Sequence, residues 1–82
     1  MIKHLFLIKD TKAEFFHGPF VSANLDTFRR DLVALRGSDT PFATYPADFA
    51  VYTCGSFNDS TGAVDSHAPE HQFNLDQILR AE

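Results

Sequence analysis

The sequence predicts an α+β fold whose elements follow the order ββαββα. The predicted sheet has four mainly antiparallel strands, and it carries one long helix and a short C-terminal helix. Two pairs of apolar runs predict the strands, because a cluster of turn-forming residues separates the runs of each pair. Apolar residues between the two pairs recur at intervals of three and four, which predicts the long helix. With 82 residues, we expect a single domain over 1–82.

The first hairpin is predicted from two apolar runs near the N-terminus. Residues 2–9 form the first strand, and the turn-prone residues 10–12 follow it. The partner strand covers about residues 14–16, and we expect residues 17–19 to end it because they contain Gly18 and Pro19. Residues 5–8 are four consecutive apolar residues, which predicts a central strand covered on both faces.

The long helix is predicted over residues 24–36. Its apolar stripe consists of Leu25, Phe28, Leu32 and Leu35. Ser22 or Asn24 can cap its N-terminus, and Gly37 stands where a left-handed residue commonly ends a helix.

The second hairpin follows two prolines that interrupt the chain. Pro41 and Pro46 each favour extended backbone in the preceding residue. Residues 49–57 then predict a third strand, and the turn formers 58–62 connect it to a fourth strand over about residues 63–67. We expect Pro69 to close the fourth strand.

The short last helix is predicted over residues 75–81, with Asn74 as its cap and Phe73 packing against Ile78. One long and one short helix barely cover two faces of a sheet whose central strands are apolar on both. We therefore expect a homo-oligomer in which a second copy covers part of the sheet.

The charge distribution limits the kinds of partner. The net charge of −4 has the wrong sign for a simple phosphate-neutralising protein. Residues 1–36 carry six lysines and arginines against four acidic residues, or +2, whereas residues 37–82 carry one against seven, or −6. This asymmetry permits a basic face in the first half. Cys54 is the only cysteine, which suits a reducing cytoplasm, and the first apolar run is too short for a signal peptide or a membrane span.

No motif in the sequence predicts catalysis, a metal or a cofactor. Cys54 lies within a strand without a nucleophile signature, so we interpret it as a small buried residue. His67 and His71 are four residues apart, but Pro69 between them spoils a helical zinc geometry and favours solvated loop histidines. We therefore expect a binding protein rather than an enzyme.

Aromatic residues near positive charges predict a nucleic-acid-binding surface in the first half, since stacking and a cationic groove hold single strands. The candidates are Lys3, Lys9, Lys12, Arg29 and Arg36 for phosphates, and Phe15, Phe16 and Phe20 for bases. A solvated edge strand guarded by lysines would have the same composition, so both interpretations stay open.

The stretch over residues 41–62 resembles a viral family. The residues that carry the resemblance are Pro41-Phe42, Pro46-Ala47-Asp48-Phe49 and Gly55-Ser56-Phe57-Asn58-Asp59-Ser60-Thr61-Gly62. This pattern is similar to that of the small nonstructural protein of gokushovirus-type microviruses, which are phages with single-stranded DNA genomes. The family usually has Asp at the position of Asn58. Residues 10–13 and Pro19-Phe20 also resemble the family's first half.

The resemblance implies a non-virion protein made in the cytoplasm of the infected bacterium, described as DNA-binding or involved in replication, without activity or cofactor. It transfers no binding residues. The leading hypothesis is an accessory protein that binds DNA, in particular single-stranded DNA, during genome replication or the switch to single-strand synthesis. The alternative is a protein-interaction module that recruits or modulates a host or phage replication protein, because the acidic second half suits a basic partner.

Overall fold

The computed structural model describes residues 1–79 and confirms the α+β class and the order ββαββα. The strands are β1 (Ile2–Asp10), β2 (Phe15–Ser22), β3 (Phe49–Asn58) and β4 (Val64–Asn74). The helices are α1 (Leu25–Val33), α2 (Pro41–Thr44) and α3 (Asp76–Leu79), and a 3₁₀ turn covers Pro46–Asp48. None of these helices is long and apolar enough to cross a membrane.

The four strands form one antiparallel sheet in the order β2-β1-β3-β4. The apolar strands β1 and β3 are therefore central, as their consecutive apolar residues predict. Strands β2 and β4 are the edges of the sheet.

The core lies between one face of the sheet and the helices. Phe6 stacks on Phe28 of α1 with 4.5 Å between ring centroids, which joins the central strand to the long helix. The buried core residues are Phe6, Ile8, Phe28, Leu32, Phe49, Val51, Leu75, Ile78 and Leu79. Phe42 of α2 also packs against this core. All the helices within residues 1–79 thus lie on the same side of the sheet.

Helix α1 begins as its sequence predicts and ends earlier. The backbone N–H of Thr27 donates a hydrogen bond of 2.7 Å to the side chain of Asn24, which confirms Asn24 as the N-cap. The helix ends at Val33 rather than at residue 36. Arg36 donates its backbone N–H to the carbonyl of Val33. The residues after Val33 therefore form a tighter turn, in which hydrogen bonds join residues three apart in the sequence.

Both edge strands are longer than predicted. Strand β2 continues through the cis Gly18–Pro19 peptide, and its register against β1 shifts by one residue there. Strand β4 continues through Pro69, in a stretch where its register against β3 is irregular. The prediction that these prolines end the strands is wrong, because an edge strand can place a residue without an N–H at a bulge.

The connection between the hairpins contains a helix that the sequence did not predict. Thr40 is extended, as the following proline favours, but it caps α2 with Pro41 in the first turn. Pro46 begins the 3₁₀ turn, but Tyr45 before it has φ −128° and ψ 58° and is not extended, so the prediction is wrong at this proline. At the C-terminal end, Asn74 donates its backbone N–H to the side chain of Gln77 at 2.8 Å, and α3 begins at Asp76. The predicted continuation of the last helix to residue 81 extends beyond the described residues.

Candidate nucleic-acid interface

The second face of the sheet has no helix from residues 1–79 packed on it, and we call it the helix-free face. Phe6 and Ile8 of β1 belong to the core. Because side chains alternate along a strand, the intervening β1 residues project to the other side. These residues are Lys3, Leu5, Leu7 and Lys9. The helix-free face consists of these four and the residues that pair with them on neighbouring strands.

Strand register places aromatic residues on the helix-free face. Lys9 pairs with Phe16 of β2, and Leu7 pairs with Tyr52 of β3. Tyr52 in turn pairs with His71 of β4. Paired residues of antiparallel strands project to the same side, so side chains from all four strands meet here.

Three rings form a continuous row across the sheet, and we call Phe16, Tyr52 and His71 the aromatic row. Phe16 meets Tyr52 edge-on at 5.3 Å between centroids, and Tyr52 meets His71 edge-on at 5.4 Å. The ammonium of Lys9 lies 5.6 Å from the centroid of the Phe16 ring. Phe16 is 40% exposed. Such a row can stack nucleobases, and the lysine beside it can contact a phosphate.

The structure brings some of the predicted binding residues together at this row. Lys9 and Phe16 are in contact, and Lys12 lies in the turn between β1 and β2 at the same end of the sheet. Lys3 is on the same face near the other end, where its ammonium lies 3.5 Å from the carboxylate of Asp59. Lys3, Lys9 and Phe16 therefore lie on the helix-free face. Lys12 lies in the turn at the end of the sheet where Lys9 and Phe16 are.

Two predicted stacking residues lie elsewhere. Phe15 is exposed on the helix side, with its ring centroid 4.7 Å from that of His17. His17 in turn contacts Phe42. Phe20 packs against the core, with its ring 6.0 Å from Phe28.

The two predicted arginines belong to the helical layer and not to the helix-free face. The guanidinium of Arg29 lies 5.9 Å from the centroid of the Phe73 ring. Arg36 donates a hydrogen bond of 2.6 Å to the backbone carbonyl of Ile78, so this side chain joins the turn that follows α1 to α3. Phe15, Phe20, Arg29 and Arg36 are therefore separated from Lys9 and Phe16 by the thickness of the sheet.

The sequence did not identify Tyr52 and His71 as binding residues. Tyr52 alternates with the core residue Val51, which is the signal that puts it on the second face. No such alternation identifies His71, because Pro69 in the same segment predicts a loop. In the structure His67 and His71 are exposed residues of strand β4, and the prediction of loop histidines is wrong.

The other end of the helix-free face is apolar, and we call Leu5, Val21, Phe57 and Val64 the distal patch. Val21 is 51% exposed and Val64 is 57% exposed. Lys3 pairs with Phe57 and therefore lies beside this patch. Asp59 accepts a 2.8 Å hydrogen bond from the Met1 amino group, which, together with Lys3, lowers the pKa of its carboxyl.

Cys54 is half-buried rather than fully buried, and its Sγ lies 3.8 Å from the carbonyl of Leu5. Burial raises the pKa of this thiol, which favours its protonated form. Within residues 1–79, no group of three or more His, Cys, Asp or Glu side chains is close enough to hold a metal ion.

The comparisons with known proteins give one match. No curated protein and no solved structure matches the chain. A family model described as Phage ORF5 protein matches residues 3–78, a span that includes α1, strands β2 to β4 and all of β1 except Ile2. The match supports the phage origin that the sequence resemblance implies. The chain belongs to the phage ORF5 protein family.

Proposed function

We propose that this phage protein is a non-virion accessory protein, of the gokushovirus type that its sequence resembles, which binds single-stranded DNA on the helix-free face. It acts in the host cytoplasm during genome replication or the switch to single-strand synthesis. The observation that carries the proposal is the contact of Lys9 with an aromatic row that crosses the sheet.

Base stacking supplies most of the binding free energy in this proposal. Stacking on an aromatic side chain contributes about 1–3 kcal/mol per base, and it accepts every base because every base has a π-face. The rings of Phe16 and Tyr52 touch, so neighbouring bases of one strand can use both. A duplex cannot stack its bases there, because its bases are already stacked within the helix.

Electrostatic attraction contributes less, because the protein is acidic and its helix-free face has few cations. Lys9 contacts the aromatic row, Lys12 lies in the turn at the same end of the sheet, and Lys3 is partly neutralised by Asp59. With about three phosphate contacts, the logarithm of the binding constant falls with the logarithm of salt concentration with a slope of about −2. Salt therefore weakens the binding only moderately.

A second copy of the chain is a further partner, and the distal patch supports it. In a two-fold symmetric contact the same patch meets itself, so like charges face each other unless they are neutralised. Asp59 pairs with Lys3 at 3.5 Å and with the Met1 amino group at 2.8 Å, which reduces that repulsion beside the apolar patch. We propose that two copies meet through the distal patch and leave the aromatic row open for DNA.

A titration of a fluorescent thymidine oligonucleotide of about 12 nucleotides, followed by anisotropy, tests the DNA proposal. We expect saturable binding at about 50 mM salt and weaker binding at about 200 mM, with the slope given above. A duplex of the same length is the control and should bind more weakly. Absence of single-strand binding at the lower salt concentration would refute the proposal.

A further inference from the structure

A groove of about 360 Å³ lies on the helix side of the molecule, away from the aromatic row. It opens where the start of α1, the end of β4 and α3 meet. The residues that line it are Leu25, Arg29, Gln72, Phe73, Gln77 and Ile78. The volume is within the range of pockets that bind small groups.

The groove has an apolar floor with one cation at its edge. Leu25 and Phe73 are partly buried against the core, and Ile78 belongs to the core. Arg29 is exposed, and its guanidinium lies 5.9 Å from the centroid of the Phe73 ring. This cation–π contact positions the guanidinium without using its N–H groups, so the groups can still donate to a ligand.

Hydrogen bonds hold the polar walls of the groove in place. The amide nitrogen of Gln72 donates to the Thr53 hydroxyl at 3.2 Å and to the Glu70 carbonyl at 3.3 Å. The amide oxygen of Gln77 accepts the backbone N–H of Asn74 at 2.8 Å. The groove is therefore formed before any ligand arrives, which lowers the entropic cost of binding.

The charge and shape of the groove specify its ligand. Arg29 is the only charged side chain among the lining residues that the structure describes, so the ligand is an anion. A single guanidinium pairs bidentately with one carboxylate and neutralises its single charge, whereas a phosphate monoester carries nearly two charges, of which one arginine neutralises only one. The apolar floor requires an apolar group beside that carboxylate. The last residue of a peptide chain provides both when its side chain is apolar.

We propose that this groove binds the carboxyl terminus of a partner protein, with the terminal carboxylate on Arg29 and the last side chain between Leu25 and Ile78. This function is independent of DNA binding, because the aromatic row is on the other face of the sheet. It gives the protein-interaction alternative a defined site. The partner is recognised by its terminal carboxylate and an apolar last side chain. It therefore differs from the basic partner that the acidic second half of the chain predicts.

The test uses the full chain and the peptide acetyl-Gly-Ser-Leu-Phe, whose only charge is its terminal carboxylate. We expect calorimetric titration to detect binding of the free acid and at least about tenfold weaker binding of its C-terminal amide, because the amide loses one charge-assisted bidentate contact. Replacing the last residue by Ser should weaken binding similarly, since the apolar contact is lost.

Arg29→Gln provides the matching change in the protein, and Arg30→Gln is its control. Both arginines are exposed on α1, but only Arg29 lines the groove. We expect Arg29→Gln to weaken binding of the free acid about tenfold and Arg30→Gln to leave it unchanged. Circular dichroism checks that both variants fold.

Three results would overturn the proposal. One is equal affinity for the acid and the amide, a comparison that needs only the wild-type chain. Another is an equal effect of the two arginine substitutions. The third is displacement of the peptide by deoxyadenosine monophosphate at a lower concentration than the peptide itself requires, which would make the groove a nucleotide site.

Discussion

The Phe16 ring of an edge strand meets the Tyr52 ring of a central strand at 5.3 Å between centroids, across the strand β1 that separates them. Leu7 and Lys9 of β1 lie between the two strands, since Leu7 pairs with Tyr52 and Lys9 pairs with Phe16. Lys9 then reaches the ring of Phe16. The contact between Phe16 of β2 and Tyr52 of β3 thus creates an aromatic surface, and Lys9 places a cation beside it. This surface lies on a face of the sheet that the described helices do not cover.

Removing either ring should weaken DNA binding. We expect Phe16→Ala and Tyr52→Ala each to lower the affinity for single-stranded DNA about 5- to 150-fold, which corresponds to about 1–3 kcal/mol per stacked base. Fluorescence anisotropy measures the loss. Phe15→Ala is the matched control, because Phe15 is 48% exposed but lies on the helix side. An equal loss in the control would place the DNA elsewhere.

Lys9 should contribute one phosphate contact. We expect Lys9→Gln to make the salt slope of single-strand binding less negative by about 0.7. Titrations at several salt concentrations give the slope. Arg30→Gln serves as the control, since it removes one positive charge from the exposed surface of α1 instead. Unchanged slopes in both variants would show that Lys9 does not contact a phosphate.

The distal patch should mediate self-association. We expect sedimentation to give a dimer at micromolar concentrations and Val64→Asp to shift it to the monomer, because the substitution buries an unpaired charge in the contact. Val64 is 57% exposed, so the fold of one copy should tolerate this change. A wild-type monomer at these concentrations would contradict the prediction.

The carboxyl of Asp59 should titrate below its usual range. The hydrogen bond from the Met1 amino group lowers its pKa below the ordinary value of an aspartate, and Lys3 adds to the effect. Ionised Asp59 therefore stabilises the folded state at pH values above the ordinary pKa of an aspartate. This stabilisation is lost as the pH falls through the lower pKa that Asp59 has in the folded state.

Nuclear magnetic resonance of the Asp59 carboxyl carbon measures this pKa directly. Asp59→Asn should lower the urea midpoint at neutral pH slightly, and the difference from wild type should vanish in strong acid. Asp39→Asn is the control, because Asp39 is exposed and has no ion pair within residues 1–79. An ordinary pKa at Asp59 would contradict the expectation.

Gly55 should be required for the pairing of β3 with β4. A Cβ atom at this position would collide with the backbone carbonyl oxygen of Asp65, and φ is +154°. We expect Gly55→Ala to lower the free energy of unfolding by more than about 1 kcal/mol in urea titrations. Gly62→Ala is the control, because its φ is +79° but no atom lies within 4 Å of the added Cβ. It should cost less than Gly55→Ala.

Local signals predicted much of the fold. The cap at Asn24 and the helical stripe depend on residues three and four apart, so the start of α1 follows from its own segment. The lengths of β2 and β4 depend instead on their neighbours. Pairing with β1 and β3 carries these strands past Pro19 and Pro69, although each proline favours an end.

The sequence by itself determined the class, the order of the elements, the central position of β1 and the phage resemblance. Only the tertiary structure decided which aromatic residues share a surface. Phe16 and Phe20 are four residues apart, so a regular strand would place both on one face. The one-residue shift between them in β2 leaves Phe16 beside Lys9 and turns Phe20 towards Phe6 in the core. A register shift depends on the partner strand, and no local pattern encodes it.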